Sequence, residues 1–150
     1  MTATIGLKLF EVLMVEDNPG DIRLTREALK DAKLAINLND VGDGMEALDY
    51  LNRRGQYSSV PRPDLILLDL NLPKKDGRQV LAEIKNDDSL KNIPVVVLTT
   101  SKAEEDIIKT YNLHANCYVG KPIDLDQFTE IVHAIETFWF SIVQLPSAAG

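Results

Sequence analysis

Cysteine is almost missing from this chain. Cys117 is the only one among 150 residues, so no internal disulfide can form and a reducing cytoplasm is the expected setting. Cys117 sits in an apolar segment and reads as a small buried hydrophobe rather than a nucleophile. Long apolar runs are missing too; none approaches the roughly 20 residues of a membrane span. Basic excess is lacking: the net charge is −7 and the pI about 4.8, which argues against a nucleic-acid partner. The first eight residues have neither the charged nor the long apolar part of a secretory leader, so none is expected. His114 and His133 are the only histidines, and no cysteine or second histidine is spaced with either to hold zinc.

What is present is ordinary in amount and informative in order. The chain is 45% hydrophobic and 26% charged, a composition typical of soluble globular proteins. Its length suits a single domain with one core. Strand-like and helix-like segments alternate throughout. An apolar run at about 11–16 precedes Pro19-Gly20-Asp21, which opens a helix bearing Ile22, Ala28, Leu29 and Ala32. A weak strand, Leu38 to Val41, leads through Gly42-Asp43-Gly44 into a short helix with Met45, Ala47, Leu48 and Leu51. Residues 53–63 form a loop longer than α/β connections usually need. A third strand at 64–69 is followed by a helix from Gly77 to about Asn86, with Val80, Leu81 and Ile84 inward. Pro94 introduces Val95-Val96-Val97-Leu98-Thr99, rich in β-branched residues. A helix through Ile107, Ile108 and Tyr111 comes next, then the short strand Cys117-Tyr118-Val119. Asp124 is the expected N-cap of a last helix. Repeated βα units with short connections predict right-handed crossovers and a parallel sheet covered on both faces.

The strand ends carry the chemistry. Asp69 closes the run Leu65-Ile66-Leu67-Leu68, and Glu16-Asp17 closes Val12-Leu13-Met14-Val15. Thr99 ends the fourth strand and Lys121 follows the fifth. Equivalent ends of parallel strands meet at one edge of the sheet, where open α/β folds bind ligands. Two carboxylates about 4 Å apart repel by about 4 kcal/mol at an effective dielectric near 20. A hard divalent cation relieves that repulsion, and oxygen-only ligands favour Mg²⁺ or Ca²⁺ over zinc. Carboxylates, Mg²⁺, a lysine and a hydroxyl are what holding a transferring phosphoryl group requires, with Asp69 as nucleophile. Singly, each residue has a plainer reading. A strand-end acid is ordinarily a cap or a solvated loop residue, and threonine after a valine run is ordinary strand chemistry. The joint placement is what selects phosphoryl transfer.

These segments resemble the receiver domain of two-component response regulators, over about residues 9–137. Val15-Glu16-Asp17-Asn18 resembles the family's acidic metal motif. Leu67-Leu68-Asp69-Leu70-Asn71-Leu72-Pro73-Lys74-Lys75-Asp76-Gly77 resembles the segment around its phosphoacceptor. Val97-Leu98-Thr99-Thr100-Ser101 and Tyr118-Val119-Gly120-Lys121-Pro122 resemble its hydroxyl, switch aromatic and lysine. The resemblance implies a flavodoxin-like, doubly wound, five-stranded parallel sheet of order 2-1-3-4-5 with helices on both faces. It implies Asp69 as phosphoacceptor, and Glu16, Asp17, Asp69 and the Asn71 backbone carbonyl as Mg²⁺ ligands. Thr99 and Lys121 would contact phosphoryl oxygens, and Tyr118 would be a switch coupled to Thr99. The implied role is signalling rather than enzymatic: a phosphoryl group taken from a sensor histidine kinase, then protein contact or transfer to a downstream phosphorelay protein. Two positions depart from the pattern. His114 stands where a glycine is common after the fourth helix, and Gly120 replaces a bulky residue; both bear on the output face rather than the chemistry.

Other classes fit less well. An aspartate-nucleophile phosphohydrolase wants a second acid two residues after the nucleophile, where this chain has Asn71. A pseudo-receiver scaffold is expected to have lost an acid or the lysine, and none is lost here. A flavodoxin-like cofactor carrier needs a Ser/Thr/Gly-rich phosphate loop after strand one. The loop 53–63 and the apolar end, residues 138–146, resemble the stand-alone receivers that serve cyanobacterial phytochrome kinases. From Leu125, the positions Phe128, Val132, Ile135, Trp139 and Ile142 form a stripe that packs on the sheet. Phe138, Phe140 and Val143 lie on other faces. With so much apolar surface, Phe138, Trp139, Phe140, Ile142 and Val143 are the expected interface of a homodimer.

Overall fold

The computed structural model describes residues 9–30, 35–99, 117–121, 124–131 and 133. Five strands form one parallel sheet: β1 (Phe10–Val15), β2 (Ile36–Val41), β3 (Leu65–Asp69), β4 (Val95–Thr99) and β5 (Cys117–Gly120), in the order β2-β1-β3-β4-β5. Among the described residues, the connecting helices are α1 (Pro19–Leu29), α2 (Gly44–Leu51) and α3 (Gly77–Asn86), and residues 125–131 are helical as well. This is the expected flavodoxin-like arrangement. No helix among the described residues is long and apolar enough to cross a membrane.

Strands buried on both faces explain the unbroken apolar runs. Leu13, Val15, Ile66, Leu68, Val95 and Val97 join α2 and α3 in one core cluster. Their alternates Val12, Met14, Leu65, Leu67, Val96 and Leu98 join Leu29 of α1 and Phe128 in another. β1, β3 and β4 therefore each feed two cores with a period of two. Caps set the helix starts. Asn18 accepts from the Asp21 N–H at 3.1 Å and Asp43 from the Glu46 N–H at 2.8 Å. Asp76 forms a full capping box with Gln79, and Asp124 accepts from the Gln127 N–H at 2.8 Å, as expected of it.

The structure departs from the sequence expectation in detail. β2 begins at Ile36 rather than Leu38; Asn37 belongs in it because its side-chain amide donates to Glu11 Oε1 at 2.8 Å. Met45 points outward, 52% exposed, and Tyr50 takes the inward place on α2. In α1 the buried polar residue is Thr25, whose hydroxyl donates to the Asp21 carbonyl at 3.0 Å. Residues 53–63 are docked rather than loose. A 3₁₀ turn, Gly55–Tyr57, packs Tyr57 against the α2–α3 core, its hydroxyl donating to Glu46 Oε1 at 3.0 Å. Arg62 then donates to the Ser89 carbonyl at 2.6 Å.

Glycine is required where the chain turns back over β3. A Cβ on Gly77 would lie 2.6 Å from the Leu70 Cα and closer still to the Asp69 carbonyl. At the sheet margin, β2 has one edge unpaired among the described residues. Phe10 and Glu16 donate to the carbonyls of Ala35 and Val41, so the even-numbered β2 carbonyls face outward. Arg26 donates to one of them, Leu38, at 3.0 Å and ion-pairs with Asp40 at 2.5 Å.

Ala32, Ile107, Ile108, Tyr111, His114, Val132, Ile135 and the apolar end with Phe138, Trp139, Phe140, Ile142 and Val143 lie outside the described residues.

Candidate metal centre at the carboxyl edge of the sheet

Register alone brings the strand ends together. Val15 pairs with Leu68, so Glu16 and Asp69 are laterally equivalent at the next step. Asp69 pairs with Leu98, and Thr99 with Gly120, which places Lys121 one residue farther on. Glu16 is 1% and Asp69 3% exposed, whereas Asp17 is exposed. One carboxylate oxygen from each of Glu16, Asp17 and Asp69 lies within 4.8 Å of the other two.

Lys121 closes the arrangement. Its Nζ donates to Glu16 Oε1 at 3.0 Å and Asp69 Oδ2 at 3.2 Å, and pairs with Asp21 Oδ2 at 3.0 Å. Burial and the hydrogen bond shared with Asp69 push the Glu16 carboxyl up to about 7, although Lys121 pulls the other way. For Lys121, burial works against the charge, but hydrogen bonds to Glu16 and Asp21 and the charge of Asp69 outweigh it and raise its pKa. The second oxygens are also engaged: Asn18 N–H donates to Glu16 Oε2 at 3.3 Å and Asn71 N–H to Asp69 Oδ1 at 3.1 Å. Three carboxyl groups thus contact one ammonium and Asp17 stands beside two of them, a concentration of acidic oxygens suited to a hard cation. A donor set of oxygens alone fits Mg²⁺ or Mn²⁺.

The sequence-predicted residues Glu16, Asp17, Asp69 and Lys121 therefore meet in one place. Asn71 adjoins them through its N–H. The backbones of Thr99 and Tyr118 lie in β4 and β5, Tyr118 opposite Val97, and their side chains lie outside the described residues. Asp21 is the member that sequence reasoning missed. Its signal was available: an acid on the first turn of a helix leaving a strand-end acidic pair stands next to the same edge.

A family model described as the response regulator receiver domain matches residues 12–133. The chain is 52% identical over 137 residues to the response regulator Rcp1 of Synechocystis sp. (strain PCC 6803), covering 91% of this chain and 93% of that one. Among solved structures, the phosphorylated cyanobacterial phytochrome response regulator RcpA is 55% identical, with a TM-score of 0.73 over 89% of this chain and 96% of that one. The Mn²⁺-bound form of Rcp1 is 51% identical, with a TM-score of 0.69 over 88% and 95%. The chain belongs to the response regulator receiver family of two-component signalling. Within that family it is similar to the cyanobacterial phytochrome response regulators.

Proposed function

We propose that this receiver takes a phosphoryl group onto Asp69 from the phosphohistidine of a sensor histidine kinase, in a Mg²⁺-dependent reaction, and signals by protein contact. The observation that carries the reading is the Lys121 ammonium standing between Asp69 and Glu16. An Asp69 carboxylate oxygen attacks phosphorus, the P–O bond forms as the P–N bond breaks, and the electron pair leaves on the imidazole nitrogen. Lys121 is 3.2 Å from Asp69 Oδ2, close enough to meet the phosphoryl oxygens as charge shifts onto them. The Asn71 N–H fixes the other oxygen and so orients the carboxylate. Glu16, Asp17, Asp69 and the Asn71 carbonyl would hold the cation, which supplies charge neutralisation around the phosphoryl group. Thr99 contacts a phosphoryl oxygen and, with Tyr118, carries the change outward.

A phytochrome-type kinase is the favoured donor, because RcpA, 55% identical, is a phytochrome response regulator. The acquired charge of about −1.5 to −2 biases a two-state surface. Copies of the chain pair through Phe138, Trp139, Phe140, Ile142 and Val143, a reading that rests on the apolar character of that stretch. A downstream phosphorelay protein is the other outlet for the phosphoryl group.

Incubation with Mg²⁺ and a small phosphodonor, followed by mapping, tests the centre of this reading. Label should appear on Asp69 and vanish in Asp69→Asn; label elsewhere would overturn the assignment. Light scattering on the intact chain and on one ending at Thr137 tests the dimer, which a monomeric intact chain at micromolar concentration would exclude.

A further inference from the structure

Lys121 has three carboxylate partners, and only two belong to the metal cluster. Glu16 and Asp69 share that cluster with Asp17. The third partner, Asp21, comes from the first turn of α1, and its Oδ2 lies 3.0 Å from the ammonium. The main chain of Asp21 is fixed on both sides. Its N–H donates to Asn18 Oδ1 at 3.1 Å, and its carbonyl accepts from the buried Thr25 hydroxyl at 3.0 Å. The Asp21 side chain is 28% exposed and that of Lys121 13%, so the pair sits at the mouth of the site with water mostly excluded.

The three contacts respond differently when the site fills. A divalent cation among Glu16, Asp17 and Asp69 would draw on the charge of two of the three carboxyl groups that now hold Lys121. A phosphoryl group on Asp69 consumes one of its oxygens altogether. Asp21 has no part in either event. Lysine carries its charge on a flexible four-carbon stem, and an ammonium released by two partners swings into water unless a third retains it.

We propose that Asp21 is a positioning residue that keeps the Lys121 ammonium beside Asp69 while the cation and the phosphoryl group occupy Glu16 and Asp69. The proposal rests on the reading of Asp69 as phosphoacceptor. It gives Lys121 a fixed pivot: the Asp21 contact persists while the partner on the other side changes from carboxylate to phosphoryl oxygen. Displacing a charge-stabilising group by even a fraction of its contact distance slows transfer.

The test uses the full chain as wild type, Asp21→Asn and Asp21→Glu. With saturating Mg²⁺ and a small phosphodonor, Asp21→Asn should label Asp69 roughly tenfold more slowly, the loss common for partners that orient a site's working groups. Asp21→Glu, which keeps the charge, should recover most of that rate. The ¹⁵N resonance of the Lys121 ammonium, assigned by its disappearance in Lys121→Arg, reads position directly, since hydrogen-bonded ammonium protons exchange slowly with water. It should persist with Mg²⁺ in wild type and be lost in Asp21→Asn. Retention of the resonance in Asp21→Asn, or labelling at the wild-type rate, would overturn the proposal. Equal slowing in Asp21→Glu and Asp21→Asn would do the same, because the loss would then follow from packing. Should wild type fail to label on Asp69, the phosphoacceptor reading falls, and the resonance alone decides the role of Asp21.

Discussion

Glu16 Oε1 and Lys121 Nζ, 105 residues apart in sequence, meet at 3.0 Å across the carboxyl edge of the sheet. One is a carboxyl that burial pushes towards neutrality and the other an ammonium held charged by its neighbours. A cation held by Glu16, Asp17 and Asp69 would share the Glu16 carboxyl group with this lysine.

Because the Glu16 carboxyl titrates near 7 when folded against an ordinary 4.5, the folded chain binds the extra proton between those values. Stability of the metal-free protein should therefore fall as pH rises from about 5 to about 8, by at most about 3 kcal/mol. Urea unfolding across that range, compared with Glu16→Gln, checks it: the variant should lack this part of the slope. The stabilisation by Mg²⁺, which needs the carboxylate, should run the other way and be larger at pH 8 than at pH 6.

Asp17 is the exposed member of the cluster, so its loss costs little in folding. Asp17→Ala should change metal-free stability by less than about 1 kcal/mol. It should also abolish the rise in melting temperature that Mg²⁺ produces in the wild type. A thermal scan with and without Mg²⁺ separates the two effects.

Lys121→Ala strands two buried carboxyl groups without their cation. At pH 8 this should destabilise the metal-free chain by about 3 kcal/mol. At pH 6 the loss should be smaller, since Glu16 then takes up a proton. If Lys121 reads the phosphoryl group, any phosphorylated Lys121→Ala should also bind its partner no differently from the unphosphorylated form, measured by calorimetry.

Gly77 and Gly120 should behave oppositely. A methyl at Gly77 meets the backbone of Asp69 and Leu70, whereas one at Gly120 meets nothing within 4 Å among the described residues. Gly77→Ala should cost about 3 kcal/mol or more and Gly120→Ala less than about 0.5 kcal/mol. Urea midpoints settle both. Among the described residues, the small residue before Lys121 therefore meets no packing requirement.

The parallel sheet and the meeting of Glu16, Asp17, Asp69 and Lys121 were legible in sequence because apolar runs end at those residues and parallel strands end together. Less legible were features decided between elements. Half-polar β2 hid its first two residues, since the Asn37 amide finds its partner in Glu11 on the neighbouring strand. Tyr57 and Arg62 gave no periodic signal, yet they dock the 53–63 loop onto Glu46 and Ser89. Asp21 reads as an ordinary first-turn helix acid; its nearness to the acidic edge is legible in sequence, but its contact with Lys121 is set by the fold.

Arg26 guards the open margin of the sheet. A bare edge strand invites another strand to extend the sheet, the route by which β proteins aggregate. With its guanidinium on the Leu38 carbonyl and the Asp40 carboxylate, Arg26 occupies an acceptor that an incoming strand would need and sets a charge in its path. Sheet extension at β2 is thereby disfavoured, and the strand can stay at the margin of the sheet without recruiting a neighbour.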